Sequence, residues 1–177
     1  KMDANIIKDM PNYFKDLWRQ YYAVSGSALV FSTKPKLAEK YMQLALYFDR
    51  NEPSSDAESI TLNNLGLLYQ NEGNHAKAVE SFLAALNKND EGNEEYAKIN
   101  TLGNISFSYR MIKQYSRAKR YTEQAIELAK KLNLSTNLCR VLSAHASVLI
   151  EEENYAEAEK FLRQSISLSH SIGNKAD

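Results

Sequence analysis

Leu62-Asn-Asn-Leu-Gly-Leu-Leu-Tyr69, followed by Ala78, Phe82 and Ala85, is the stretch on which the fold turns, because its pattern recurs along the chain. Tyr22-Ala-Val-Ser-Gly-Ser-Ala-Leu29 stands 40 residues before it. Leu102-Gly-Asn-Ile-Ser-Phe-Ser-Tyr109 and Leu142-Ser-Ala-His-Ala-Ser-Val-Leu149 follow at the same spacing. Three columns of small residues keep this register: Gly26, Gly66, Ser106 and Ala146; Ala38, Ala78, Ala118 and Ala158; Ala45, Ala85, Ala125 and Ser165. Helices approach closely only where side chains are small, so the columns mark crossings of paired helices. A fixed period of this length indicates a stacked repeat array.

Inside a unit the apolar residues fall at helical spacing, as in Leu62, Leu65, Tyr69 and then Ala78, Phe82, Ala85, Leu86. Each unit therefore reads as two antiparallel helices. Expected helices run over 12–32, 35–50, 56–71, 75–88, 94–112, 115–132, 136–152 and 155–172, giving units 12–52, 53–92, 93–133 and 134–174. Asn71-Glu-Gly73-Asn74 marks the turn of the second unit, with Gly73 able to end a helix in the left-handed conformation. Ile112-Lys-Gln114 and Glu152-Glu-Asn154 stand at the matching places with weaker turn signals. Pro35 suits a first helical turn, and Pro53-Ser-Ser55-Asp56 and Asn133-Leu-Ser135-Thr136 offer N-capping oxygens.

These residues resemble the tetratricopeptide repeat. Leu62, Leu65, Gly66, Tyr69, Gly73, Ala78, Phe82 and Ala85 meet its pattern, with His75 in place of the second tyrosine. Leu102, Ile105, Tyr109, Tyr115, Ala118 and Ala125 match in the third unit, and Leu142, Ala146, Tyr155 and Ala158 in the fourth. The first unit is degenerate, with Tyr22, Gly26, Ala38, Tyr41 and Ala45 kept and Pro35 replacing the tyrosine. The period of 40 exceeds the family's commonest 34. The resemblance implies an all-α, right-handed α-solenoid whose first helices line a concave, polypeptide-binding face. Long repeats of this kind look like those of bacterial peptide-sensing regulators and of eukaryotic cargo or polarity adaptors. A sensing or docking region of a signal-transduction or transcription regulator is thus implied, with a stand-alone cytoplasmic scaffold or adaptor as the alternative.

Removing core positions leaves Asn63, Asn64, Leu67, Gln70, Asn100, Asn104, Phe107, Arg110, Met111, Arg140, Ser143, Ser147 and Glu151 on the expected concave face, of which Asn64, Leu67, Gln70, Asn100, Asn104, Phe107, Arg110, Arg140 and Ser147 are the candidate binding residues. Asn64 and Asn104 share one repeat position, and an asparagine can donate to and accept from a ligand backbone at once. The resemblance gives asparagine here that ladder role; hydrogen bonding within the array is the other reading. Arg110 and Arg140 can take ligand carboxylates or form surface ion pairs. Phe107 is either an anchor or a packing residue. Tyr69, Tyr109, Tyr115, Tyr121 and Tyr155 read as interhelical packing.

Composition removes several function classes. With 22 basic and 22 acidic residues the chain lacks the positive footprint nucleic acid requires. The cluster Arg110, Lys113, Arg117, Lys119 and Arg120 reads as a solvated face. One cysteine, Cys139, excludes an internal disulfide or a multi-cysteine zinc site. His75, His145 and His170 stand in no metal-ligand spacing, Cys139 and His145 fall on different helix faces, and Glu151-Glu-Glu153 reads as solvated. No enzyme activity, metal or cofactor is expected, and no direct membrane contact from this segment. The ending just after a second helix suggests part of a longer protein, in cytoplasm or periplasm, whose open ends could self-associate.

Overall fold

Ala, Leu, Glu and Lys are abundant in the segments between turns, and these residues hold helix at little conformational cost. The computed structural model describes residues 12–30, 33–51, 55–92 and 94–173. Among them are eight helices: α1 (Asn12–Ala28), α2 (Pro35–Asn51), α3 (Ser55–Asn71), α4 (His75–Gly92), α5 (Glu95–Met111), α6 (Tyr115–Lys131), α7 (Ser135–Glu151) and α8 (Tyr155–Gly173). They form four antiparallel pairs, an all-α repeat solenoid. α2 begins at Pro35 as expected. α1 ends at Ala28, short of the expected 32, where Leu29 and Val30 turn back onto Gly26 and Ser27 through backbone bonds of 3.1 and 3.2 Å. That turn buries Val30 in the central core.

Each second helix lies against its own first helix and against the first helix of the next unit, while successive first helices also touch one another. The row of first helices is thereby the tighter side of the stack and forms its inner wall. The core is continuous across units, running from Val30 and Met42 through Phe82 to Ile105, Tyr109, Ala118 and Val148. The small-residue columns lie at the crossings: Ala38, Ala78, Ala118, Ala45, Ala85 and Ala125 are wholly buried.

Gly73 has φ +74°, and Lys113 and Glu153, one and two periods later, have φ +60° and +61°. All three turns close alike, by bonds from Asn74, Gln114 and Asn154 back to the carbonyls of Tyr69, Tyr109 and Leu149 at 2.8–2.9 Å. Only glycine takes this conformation without strain, so the third and fourth turns carry an energetic cost that the second does not. The cap expected at Asn133–Thr136 needs correcting. Leu134 is the N-cap of α7 without a side-chain cap bond, and Asn133 instead takes φ +55° in a further left-handed turn. Of the capping residues expected at 53–56, 53 and 54 lie outside the described residues, and Ser55 already opens α3.

The unit junctions differ in polarity at one register position. Asp49, Asn89 and Ala129 stand one period apart, each buried, opposite Thr61, Thr101 and Val141 in turn. Among the described residues neither oxygen of Asp49 has a hydrogen-bond partner. Burial pushes its carboxyl above the ordinary range, and Thr61 and Arg19, the latter at 4.0 Å, offset this only in part. Asp49→Asn should raise stability at pH 7 by on the order of 1 kcal/mol. Because the folded-state pKa is raised, the acid's handicap is absent below the unfolded value and grows as pH rises through the folded one. The gain should therefore vanish below about pH 4, as urea titrations at pH 3.5 and 7 would show.

Candidate functional site

The candidate residues all lie on the first helices of their units: Asn64, Leu67 and Gln70 on α3, Asn100, Asn104, Phe107 and Arg110 on α5, Arg140 and Ser147 on α7. Helical periodicity turns the opposite face of each first helix, carrying Leu65, Ile105 and Leu142, into the core. Much of the polar set is used to tie neighbouring units together. Asn64 Nδ2 donates to Ser27 Oγ at 2.7 Å, and Asn104 Nδ2 to Asn63 Oδ1 at 3.2 Å. Gln70 Nε2 donates to Asn104 O at 3.1 Å and Ser108 Oγ at 2.8 Å. The asparagines thus do bond within the array. Only their donors are spent, and among the described residues neither Oδ1 accepts a hydrogen bond.

Arg110 forms an ion pair with Glu151 at 3.2 Å, and its guanidinium lies 5.3 Å from the centre of the Phe107 ring. Arg140 donates to Asn100 Oδ1. Both arginines therefore already have a partner on the neighbouring first helix, as a surface ion pair and a surface hydrogen bond. Ser147 bonds back to Ser143 O of its own helix at 3.0 Å, which leaves it as packing polarity, and Leu67 is half-buried against the central core.

Phe107 is 43% exposed, with Met111 one turn further at 46%. Its ring meets His75 edge-on at 6.1 Å between centres, so one side packs and the rest is exposed. Together Phe107 and Met111 put an apolar step on α5, one and two turns beyond Asn104.

Of the tyrosines, Tyr69 and Tyr109 are buried, and Tyr69 donates to Glu39 Oε1 at 2.6 Å. Burial, reinforced by that carboxylate, pushes the Tyr69 phenol up. Tyr109 and Tyr121 stack at 5.6 Å. Tyr155 corrects the packing expectation: it is 63% exposed, since no described unit lies over α8 to cover it. His145 is buried, with Nδ1 2.7 Å from Thr122 Oγ1, while Cys139 Sγ meets Ser165 Oγ at 3.1 Å, so thiol and imidazole belong to separate contacts. Among the described residues no group of three or more His, Cys, Asp or Glu could hold a metal ion, and no helix is long and apolar enough to cross a membrane.

Asn89, Thr101 and Ser59, which line a recess in this wall, were not recognised from sequence. The available signal was the polar column 49/89 facing 61/101 at the repeat offset.

Models of the tetratricopeptide repeat match residues 57–131 and 140–170, together more than half the chain. No curated protein is similar to it in sequence. Among solved structures, BtubC (BKLC) from P. vanneervenii superposes with a TM-score of 0.82 at 16% identity, over 90% of this chain and 66% of that one. Aspartyl phosphate phosphatase F from Bacillus subtilis gives 0.80 at 13%, over 88% and 41%. The STAND-type signal transduction ATPase PH0952 from Pyrococcus horikoshii, which has a tetratricopeptide repeat sensor, gives 0.77 at 21%, over 87% and 24%. The chain spans less than two thirds of each of these structures, and at such identities the likeness concerns the fold. The repeat models fall on the same helix pairs that Gly66, Ser106 and Ala146 hold together, and the chain belongs to the tetratricopeptide repeat family.

Proposed function

We propose that the chain is a non-catalytic binding region that takes an extended polypeptide along the inner wall, as the sensing or docking part of a bacterial signalling regulator. The observation that carries the reading is the half-exposed Phe107–Met111 step one turn beyond Asn104, together with the side-chain carbonyls of Asn64 and Asn104, one period apart and uncommitted among the described residues. An extended backbone offers an N–H every second residue on one side, the group such carbonyls accept. Tetratricopeptide arrays generally act as interaction modules, and the sensor repeats of the signal transduction ATPase support the signalling role.

Native chain and Phe107→Ala, used side by side as bait in a lysate of the source cells, test this. Loss of a retained protein from the variant, at a thermal midpoint within a few degrees of the native one, is the expected result. Equal retention by both would move the binding surface off the inner wall. Asn64→Ala with Asn104→Ala is the less clean probe, because each also removes an inter-unit hydrogen bond of about 0.5–1.5 kcal/mol.

A further inference from the structure

We propose that the recess between α3 and α5, floored by Asn89 of α4, is a specificity pocket for a primary carboxamide, the side chain of a glutamine or asparagine in the bound polypeptide. This rests on the inner-wall reading above and names what the wall selects. The cavity measures about 180 Å³ and is lined by Ser59, Ile60, Asn63, Asn89, Ala97, Asn100 and Thr101, none of them charged. That volume is below the ~300–1,000 Å³ of drug-sized ligand sites and suits one side chain.

The polarity of the floor follows from proton counting. Thr101 Oγ1 spends its one proton on Ala97 O at 3.1 Å, so it can only accept from Asn89, whose Nδ2 lies 3.3 Å away. That fixes the Asn89 amide and leaves its Oδ1 as a buried acceptor without a partner among the described residues, in a residue only 2% exposed. A buried orphan acceptor is costly, and filling it with a ligand donor relieves the cost. The two asparagines beside it have the opposite need. Asn63 and Asn100 already accept through Oδ1, from Asn104 and Arg140, and their Nδ2 groups make no hydrogen bond among the described residues.

A carboxamide answers both, its NH₂ reaching Asn89 Oδ1 and its oxygen accepting from Asn63 or Asn100. A carboxylate would set a second acceptor against Asn89, and an ammonium would meet the Asn63 and Asn100 donors and neighbouring Arg140. The neutral amide is found at this junction alone of the three, since one period earlier the acid Asp49 stands in its place. One period later Ala129 and Val141 replace Asn89 and Thr101, both buried, and the orphan acceptor is gone.

The test titrates the ¹⁵N-labelled chain with acetyl-Ala-Ala-X-Ala-Ala-N-methylamide, with X as Gln, Glu, Leu or Lys, the methylamide avoiding a terminal carboxamide. Asn89→Ala with Thr101→Val serves as control, and should fold because it copies the Ala129/Val141 pair. The Gln peptide should bind the native chain about tenfold more tightly than the others and shift Asn63, Asn89 and Asn100, and in the variant all four peptides should bind alike. Equal affinities on the native chain, with Phe107 still shifting, would overturn the pocket and leave the groove reading standing. A Gln preference that survives in the variant would overturn the pocket too. If no peptide shifts Phe107 or the pocket residues, both readings fail.

Discussion

Gly66→Leu is expected to destabilise the chain by about 1–3 kcal/mol, at the upper end of that range, seen as a lowered urea midpoint with unchanged m-value. A Cβ on Gly66 would stand 2.4 Å from Phe82 Cε1 and under 3 Å from two more ring atoms. Phe82 is wholly buried in the central core, so the ring has nowhere to retreat. Glycine inside a helix costs about 1 kcal/mol relative to alanine, and leucine would recover most of that; the clash outweighs the recovery. The repeat supplies its own control. One period on, the same crossing pairs Ser106 with the smaller Thr122, both buried. Gly66→Ser should therefore cost about 1–3 kcal/mol opposite Phe82 and about 0.5 kcal/mol or less in a Phe82→Thr background. Equal costs in the two backgrounds would show that the helix crossing tolerates a side chain here.

That crossing explains why the fold was legible in the sequence. Steric exclusion acts on residue type directly, so Gly26, Gly66, Ser106 and Ala146 stay small in every unit, and the 40-residue period is visible without knowing the contacts. The turns were partly legible. Gly73 announced itself, whereas Lys113 and Glu153 adopt the same left-handed conformation because the Tyr109 and Leu149 carbonyls and the packing on either side over-determine it. On the inner wall, sequence identified Asn64 and Asn104 but could not assign their donors, because Ser27 and Asn63 reach them from other helices. The Asn89 recess was less legible still, since three helices converge on it and no single segment carries its pattern. Tyr155 departs from the packing expectation because its repeat position implies burial only under a neighbouring unit, and none among the described residues lies over α8.

His145 shows the same limit and yields a second large effect. It holds the position of Leu65 and Ile105 in the core, and opposite it Thr122 holds that of Met42 and Phe82, so one apolar junction has become a polar pair. The ring also packs edge-on against Phe161 at 4.4 Å. Thr122→Val should cost about 1–3 kcal/mol, because it leaves a buried ring nitrogen without its partner. His145→Leu should cost less, since Thr122 keeps the Lys119 carbonyl at 2.8 Å. Burial lowers the imidazole pKa below 6.5; Glu123 counters it most among the neighbouring charges, with Glu157 and Glu152 also raising the pKa and Lys119 adding to the depression. With the folded-state value depressed, the unfolded chain takes up the proton first as pH falls. The contribution of His145 is thus complete above about pH 6.5 and is lost from there down to the folded pKa. The native thermal midpoint should fall across that interval, and His145→Leu should flatten this part of the profile. A native profile that is level from pH 7 to pH 5 would show that the imidazole ionises in the folded chain as readily as in the unfolded one.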